Sequence, residues 1–184
     1  MIIVKLGGSL SQSDNLVKCL NRVEQNYPDR AVVIVPGGGA FADQVRLAQH
    51  HWQFDDKTAH RMAILAMQQM ALLFNGIKSN FTIANSLLDI QKQLHKQKIV
   101  IWSPNIVELD KAAIQASWDI TSDSLAAWLA KALSATELIL VKSANIDANL
   151  SLEQLAKQNV IDKGFCDLVI QATFKILVVN QQHF

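Results

Sequence analysis

Two short stretches decide the fold: residues 1–10, MIIVKLGGSL, and residues 31–41, AVVIVPGGGAF. Each is a β-branched run that stops at a glycine turn. Continuous apolar runs of this length are typical of strands buried on both faces, as in a parallel sheet. Because parallel strands end at one edge of a sheet, where ligands of open α/β sheets bind, we expect both turns and Lys5 at that edge.

The rest of the chain continues the pattern, with β-branched runs separated by helical periodicities. This alternation predicts an α/β fold with crossover helices on both sides of a mainly parallel sheet. The predicted strands are residues 2–6, 31–35, 81–84, 99–102, 137–141 and 175–179. The predicted helices are one that follows Ser13 and residues 40–49, 55–74, 122–133 and 152–158.

Composition narrows the class of protein. The chain has 184 residues, of which 50% are hydrophobic and 18% charged, so we expect a single globular domain over residues 1–184. A net charge of +1 without a basic stripe argues against a nucleic-acid partner. No apolar run approaches the roughly 20 residues of a membrane helix. Two isolated cysteines and the absence of a signal peptide predict a cytoplasmic protein.

The glycine turns have the chemistry of a phosphate site. Glycine lets the backbone approach a ligand closely, and its N–H groups at a helix start bind anions. A purely structural turn is the alternative for each one alone, but Lys5 adds a point charge suited to a polyphosphate. No GxxxxGK[ST] loop occurs. Residues 37–42 fit the loose dinucleotide fingerprint GxGxxA, which leaves Lys5 and the first turn unexplained.

Two later polar residues are candidates for the same site. Asp123 lies in the first turn of a predicted helix that Thr121 or Ser122 can cap, where an acid also suits the helix dipole. Its functional alternative is to orient nearby lysines or to carry Mg²⁺. Lys142 ends the strand 137–141 as Lys5 ends the first strand, with an ordinary surface lysine as the alternative.

Taken in order, the segments KLGGSL, PGGGAFA, TSDSLAA and LVKSANID resemble the amino acid kinase superfamily over nearly the whole chain. The resemblance implies a three-layer αβα sandwich of the carbamate kinase-like fold. It places an acceptor half at about residues 1–115 and a nucleotide half at about residues 116–184. Residues 55–67, DDKTAHRMAILAM, and the segment WDITSDSLAAWLA are similar to the small aminomethylfuran phosphate kinase subgroup of methanofuran biosynthesis.

The resemblance also implies an activity. It predicts a kinase that uses ATP and Mg²⁺ on a small-molecule phosphate acceptor, in this subgroup a phosphorylated aminomethylfuran, and that forms a homodimer or higher homo-oligomer. The alternative is a non-catalytic, regulatory member that binds a nucleotide or metabolite. This alternative is motivated by Ala148, which follows Asp147 where the family usually has a glycine in the nucleotide loop.

Individual roles carry over from the family motifs. Lys5, Asp123 and Lys142 are implied to be catalytic, with Asp123 orienting the two lysines. The residues implied to bind the nucleotide or its phosphates are Gly7, Gly8, Ser9, Ser143 and Asp147. Those implied to bind the acceptor are Gly37, Gly38, Gly39, Asp56, His60 and Ser122, with a core or rim residue as the alternative for His60. No metal ligand is implied, and Trp102, Trp118 and Trp128 are expected to fill the core.

Overall fold

A computed structural model describes residues 1–147 and 149–184. Within these residues, six strands form one sheet in the order β3-β4-β2-β1-β5-β6, and every pairing is parallel. The strands are β1 (Ile2–Leu6), β2 (Val32–Pro36), β3 (Thr82–Ala84), β4 (Ile99–Trp102), β5 (Glu137–Lys142) and β6 (Lys175–Asn180). All six predicted strands are confirmed, with bounds that differ by at most one residue.

Eight α-helices connect or flank these strands in the described part of the chain. They are α1 (Asn15–Asn26), α2 (Gly39–Trp52), α3 (Asp56–Ile77), α4 (Leu87–Leu94), α5 (Ile106–Lys111), α6 (Ser122–Ala132), α7 (Leu152–Lys157) and α8 (Phe165–Val169). A short 3-10 helix, Gly8–Gln12, follows β1. The predicted helices are confirmed, and α4, α5 and α8 are additional. The described helices are all too short or too polar to span a bilayer.

Each face of the sheet buries its own core, because successive side chains of a strand point to opposite faces. Ile3 belongs to the core that includes α6, whereas Ile2 and Val4 belong to the core that includes α1. All five residues of β1 are buried. Helices on both faces of a fully buried central strand confirm the predicted three-layer αβα arrangement.

The register of β1 with its two neighbours sets the position of the polar groups at the sheet edge. Leu6 pairs with Pro36 of β2 on one side and with Val141 of β5 on the other. The segments that follow these three residues therefore leave the sheet side by side. This arrangement confirms the expectation that both glycine turns and Lys5 meet at one edge, and it brings Lys142 to the same place.

Candidate active site

Three charged side chains meet beyond the carboxyl ends of β1 and β5, and we call them the lysine site: Lys5, Asp123 and Lys142. The Lys5 Nζ lies 2.8 Å from the Asp123 Oδ1, and the Lys142 Nζ donates a hydrogen bond to the Asp123 Oδ2. The side chains of Lys5 and Asp123 are 5% and 2% exposed. Folding thus brings together the three residues predicted to be catalytic.

The three charges of the lysine site perturb one another. Burial alone would raise the pKa of Asp123, but the charges of Lys5 and Lys142 outweigh it and hold that pKa below its ordinary value. Burial, together with the charge of Lys5, lowers the pKa of Lys142, and the Asp123 carboxylate opposes this change. Two ammonium groups around one carboxylate leave a net positive charge in a nearly dry position, which favours an anionic ligand.

A cavity of about 420 Å³ opens beside the lysine site, and we call it the lysine cavity. Its other walls come from residues 159–163 and from Asp119 and Thr121, which precede α6. The size and the charge of this cavity suit the phosphates of a nucleotide.

Asp162 holds the start of α6, a role that the sequence analysis missed. Its Oδ2 accepts hydrogen bonds from the backbone N–H groups of Thr121 (2.8 Å) and Ser124 (3.0 Å). Its Oδ1 accepts one from the Thr121 hydroxyl at 2.6 Å. The expectation that Thr121 or Ser122 caps α6 with its own side chain is therefore wrong: the cap comes from a residue that follows Thr121 by 41 positions. No local pattern could have indicated it.

The two glycine turns pack directly against each other through their backbones. A Cβ atom on Gly37 would lie 2.5 Å from the Gly8 nitrogen, and one on Gly8 would overlap the Gly39 nitrogen. Gly39 also has a φ of +55°, a conformation that side chains disfavour. Close backbone approach therefore requires glycine at these positions.

The first turn is also joined to the end of β5. The Gly7 N–H donates to the Val141 carbonyl at 3.0 Å. The hydroxyls of Ser9 and Ser143 are 2.9 Å apart and share a hydrogen bond. Three of the residues predicted to bind nucleotide phosphates, Gly7, Ser9 and Ser143, thus lie where the first turn meets the end of β5.

A second cavity of about 240 Å³ lies against the glycine turns, and we call it the glycine cavity. Ile64, Met67 and Leu125 supply apolar surface to it. Its walls include all six residues predicted to bind the acceptor: Gly37, Gly38, Gly39, Asp56, His60 and Ser122.

His60 lies in the wall of the glycine cavity. It is half-buried, and burial lowers the pKa of its imidazole while the charge of Asp110 opposes this shift. The imidazole is consequently neutral near pH 7, where it can donate one hydrogen bond and accept another.

Arg46 and Trp118 lie where the two cavities meet, and both line both cavities. The guanidinium carbon of Arg46 sits 3.8 Å from the centre of the Trp118 ring. The expectation that all three tryptophans fill the core is wrong for Trp118. Trp102 is fully buried, and Trp128 packs against it with ring centroids 5.9 Å apart.

In the predicted nucleotide loop, Asp147 does not line either of the two cavities. Its Oδ1 accepts hydrogen bonds from the Asn149 backbone N–H (2.9 Å) and side-chain amide (3.0 Å). Asn180 braces the start of this loop by donating to the Ala144 carbonyl at 2.7 Å. Ala148 lies outside the described residues, so its effect on the loop stays a prediction.

The described residues bring no three His, Cys, Asp or Glu side chains together in a metal-ligating arrangement. Two of the carboxylates beside the lysine cavity are already occupied. Asp123 pairs with both lysines, and Asp162 accepts the hydrogen bonds that begin α6. A divalent cation here would therefore depend largely on the oxygens of a bound phosphate ligand.

Comparisons with known proteins agree with this architecture. The sequence model of the amino acid kinase family matches residues 1–148. Over 198 aligned positions, the chain is 30% identical to [5-(aminomethyl)furan-3-yl]methyl phosphate kinase of Methanocaldococcus jannaschii, covering 100% of this chain and 89% of that protein.

Solved structures of similar shape are also kinases. Uridylate kinase from Archaeoglobus fulgidus superposes with a TM-score of 0.76 at 17% identity, covering 99% of this chain and 92% of that chain. UMP kinase from Bacillus anthracis superposes with a TM-score of 0.71 at 17% identity, covering 98% and 87%. At such identities, the similarity supports the fold alone.

Proposed function

This chain belongs to the amino acid kinase family, and we propose that it transfers the terminal phosphoryl group of ATP to a phosphorylated aminomethylfuran. It is a small-molecule kinase, as its relatives are. The choice of ATP as donor and of an aminomethylfuran phosphate as acceptor extends this assignment from the relative in Methanocaldococcus jannaschii.

One observation carries the proposal: the net positive lysine site lies beside a small cavity walled by two glycine turns. Phosphoryl transfer passes through a loose transition state with charge spread over the equatorial oxygens, so catalysis is mainly positioning and electrostatic stabilisation. Two lysines fixed by Asp123 supply that charge without reorganisation at the moment of reaction.

In the proposed reaction, an oxygen of the acceptor phosphate attacks the γ-phosphorus of ATP. The bond from that phosphorus to the bridging oxygen breaks, and ADP leaves with the electron pair. The product is a diphosphate ester. Because the second pKa of a phosphate monoester is about 6, the nucleophilic oxygen is already ionised near neutral pH and needs no general base.

Each residue of the lysine site has a distinct part in this proposal. Lys5 and the N–H groups of the first glycine turn hold the transferred phosphoryl group. Lys142 neutralises charge on the nucleotide side, and Asp123 keeps both ammonium groups oriented. When bound, Mg²⁺ would supply further neutralisation of the phosphate oxygens.

The glycine cavity has features that suit the proposed acceptor. Ile64, Met67 and Leu125 provide an apolar surface for a furan ring. The Asp56 carboxylate, held by a 2.8 Å hydrogen bond from the Gln49 amide, provides a counter-charge for an aminomethyl ammonium group. His60 provides a neutral hydrogen-bonding group at the same cavity.

The test is an ADP-release assay with ATP, Mg²⁺ and a panel of acceptors. We expect turnover with [5-(aminomethyl)furan-3-yl]methyl phosphate, formation of a diphosphate ester in the ³¹P NMR spectrum, and little turnover with UMP or aspartate. The Lys5→Met variant is the matched control and should be inactive. Faster turnover with UMP or aspartate would overturn the proposed acceptor, and ATP binding without turnover of any acceptor would favour a regulatory member of the family.

We also propose that the chain forms a homo-oligomer through α3. The surface of α3 exposes Leu65, Leu72 and Leu73, which are 50%, 65% and 40% exposed. Light scattering coupled to size-exclusion chromatography should give at least twice the chain mass of 20.4 kDa. A single species at the mass of one chain would exclude the oligomer.

A further inference from the structure

Arg46 has no assigned part in the proposed reaction. It lies on α2 and lines both the glycine cavity and the lysine cavity. Among the ion pairs within residues 1–147 and 149–184, none involves Arg46. An arginine at the junction of two cavities, with no carboxylate partner there, is available to an anionic ligand.

The guanidinium is nevertheless held in place. It stacks at 3.8 Å over Trp118, whose Nε1 donates to the Gln49 Oε1 at 2.6 Å. Gln49 follows Arg46 by three residues on α2, so one face of the helix carries the guanidinium and anchors the ring beneath it. Stacking uses the face of the guanidinium and leaves its N–H donors free at the edge.

The charges around the glycine cavity show why such a group matters. Its described titratable lining residues are Asp43, Arg46, Asp56 and His60. Since burial keeps the His60 imidazole neutral near pH 7, Arg46 is the single permanent cation in this set. A phosphate ester in this cavity would otherwise meet two carboxylates and no permanent cation. In the lysine cavity, by contrast, Lys5, Lys142 and Lys163 balance the three carboxylates of the lining even without Arg46.

We propose that Arg46, seated on Trp118, binds the phosphate that the acceptor already carries and thereby selects phosphate esters over unphosphorylated alcohols. This inference rests on the proposed function for the identity of the acceptor. Arg46 directs the acceptor phosphate to the junction of the cavities, next to the lysine site, while the rest of the acceptor occupies the glycine cavity. It is a specificity-determining residue, distinct from the lysines that serve the nucleotide.

Steady-state kinetics of Arg46→Ala and Arg46→Lys test the proposal. Loss of charge-assisted hydrogen bonds should raise the KM for the phosphorylated acceptor by about ten- to a hundredfold, with the KM for ATP changed by less than about threefold. Lysine should restore only part of the affinity, because it neither stacks nor binds a phosphate bidentately. Arg30→Ala is the matched control, since Arg30 pairs with Glu137 at 3.3 Å outside both cavities.

A binding measurement separates this inference from the identity of the acceptor. The wild-type protein, with its lysine cavity filled by a non-hydrolysable ATP analogue and Mg²⁺, is titrated calorimetrically with inorganic phosphate. Arg46→Ala should weaken phosphate binding by at least about tenfold, and Arg30→Ala should not change it. If the aminomethylfuran phosphate is not a substrate but another phosphate ester is, the KM comparison is made with that ester.

Three results would overturn the role of Arg46. One is an unchanged acceptor KM in Arg46→Ala at an unchanged melting temperature. Another is a rise confined to the KM for ATP, which would assign Arg46 to the nucleotide phosphates. The third is the absence of saturable phosphate binding by the wild-type protein when the analogue is present.

Discussion

The lysine site and the glycine cavity lie side by side, yet they are built in opposite ways. In the lysine site, the side chains of Lys5, Asp123 and Lys142 are 5%, 2% and 14% exposed and pair with one another. In the glycine cavity, Arg46 is exposed and His60 is half-buried. The groups proposed to handle the transferred phosphoryl group are thus fixed by folding, whereas Arg46 and His60, which are proposed to recognise the acceptor, are accessible to solvent.

This contrast has an energetic meaning. A buried charge must be paired, so removal of one partner from a buried ion pair typically costs about 3–5 kcal/mol. An exposed charge contributes about 0–1 kcal/mol to stability. Changes in the lysine site should therefore reduce stability and catalysis together, and changes to the exposed charged side chains of the glycine cavity should alter recognition at little cost in stability.

The largest effect is expected for Asp123→Asn, which leaves two buried ammonium groups without their shared carboxylate. The free energy of unfolding in urea should fall by about 3–5 kcal/mol. The kcat for ADP release should fall by about a thousandfold, as for loss of a preorganised charge contact. In the matched control Asp110→Asn, an exposed pair is broken and stability should change by less than about 1 kcal/mol. Equal losses of stability in Asp123→Asn and Asp110→Asn would show that burial of the carboxylate does not determine the cost of removing its charge.

Gly8→Ala tests the close backbone contact between the two glycine turns. The new Cβ would overlap the Gly39 nitrogen, so the two turns must move apart. A misplacement of about 1 Å in a positioned site can reduce activity about a hundredfold, and we expect a fall in kcat/KM of that order. Gly76→Ala is the control: its Cβ meets open space on α3 and should stabilise the protein by up to about 1 kcal/mol. Normal activity in Gly8→Ala would show that the close contact is dispensable.

Asp162→Ala should have a smaller effect on the lysine site, because Asp162 is not one of its three residues but caps the helix that carries Asp123. Loss of the cap on α6 is expected to lower the free energy of unfolding by about 1–2 kcal/mol. Because Asp123 lies in the first turn of α6, kcat should also fall, by about tenfold for a loss near 1.4 kcal/mol. Asp167→Ala removes an exposed carboxylate nearby and serves as the control. A fall in stability with unchanged kcat would show that the cap does not position Asp123.

His60→Ala should affect recognition without affecting stability. The lost hydrogen bond is expected to raise the acceptor KM by about tenfold, with the unfolding midpoint in urea essentially unchanged. The exposed His95 offers a control in His95→Ala, which should leave both quantities unchanged. A large loss of stability in His60→Ala would assign His60 to the core after all.

The smallest expected effect is on the dependence of kcat on pH. Because burial and Lys5 lower the pKa of Lys142, kcat should begin to fall at a pH below the ordinary lysine value of about 10.4. Between the folded-state and the unfolded-state pKa of Lys142, the unfolded chain binds more protons than the folded chain. The contribution of Lys142 to the free energy of unfolding therefore increases as the pH rises through this window. Activity should decline in this window without a loss of stability from Lys142. Lys142→Arg should move the decline to higher pH, and an identical profile would exclude Lys142 as its origin.

Much of the fold could be predicted because its signals are local. β-Branched runs such as residues 2–6 and 137–141 specify buried strands whatever surrounds them, and parallel strands necessarily end at one edge. The placement of Lys5 and of both glycine turns followed from that rule. Local patterning did not indicate that Trp118 belongs to a cavity wall, since an apolar side chain suits a core equally well.

By itself, the sequence determined the strands, the main crossover helices and the groups that the sheet delivers to its edge, because each depends on neighbours within a few positions. Tertiary structure decided which distant groups meet those residues. Asp162 caps a helix that begins about 40 residues earlier, and Trp118 binds Gln49 across 69 positions. Such contacts depend on how separate elements pack, and no local periodicity encodes the distance between them.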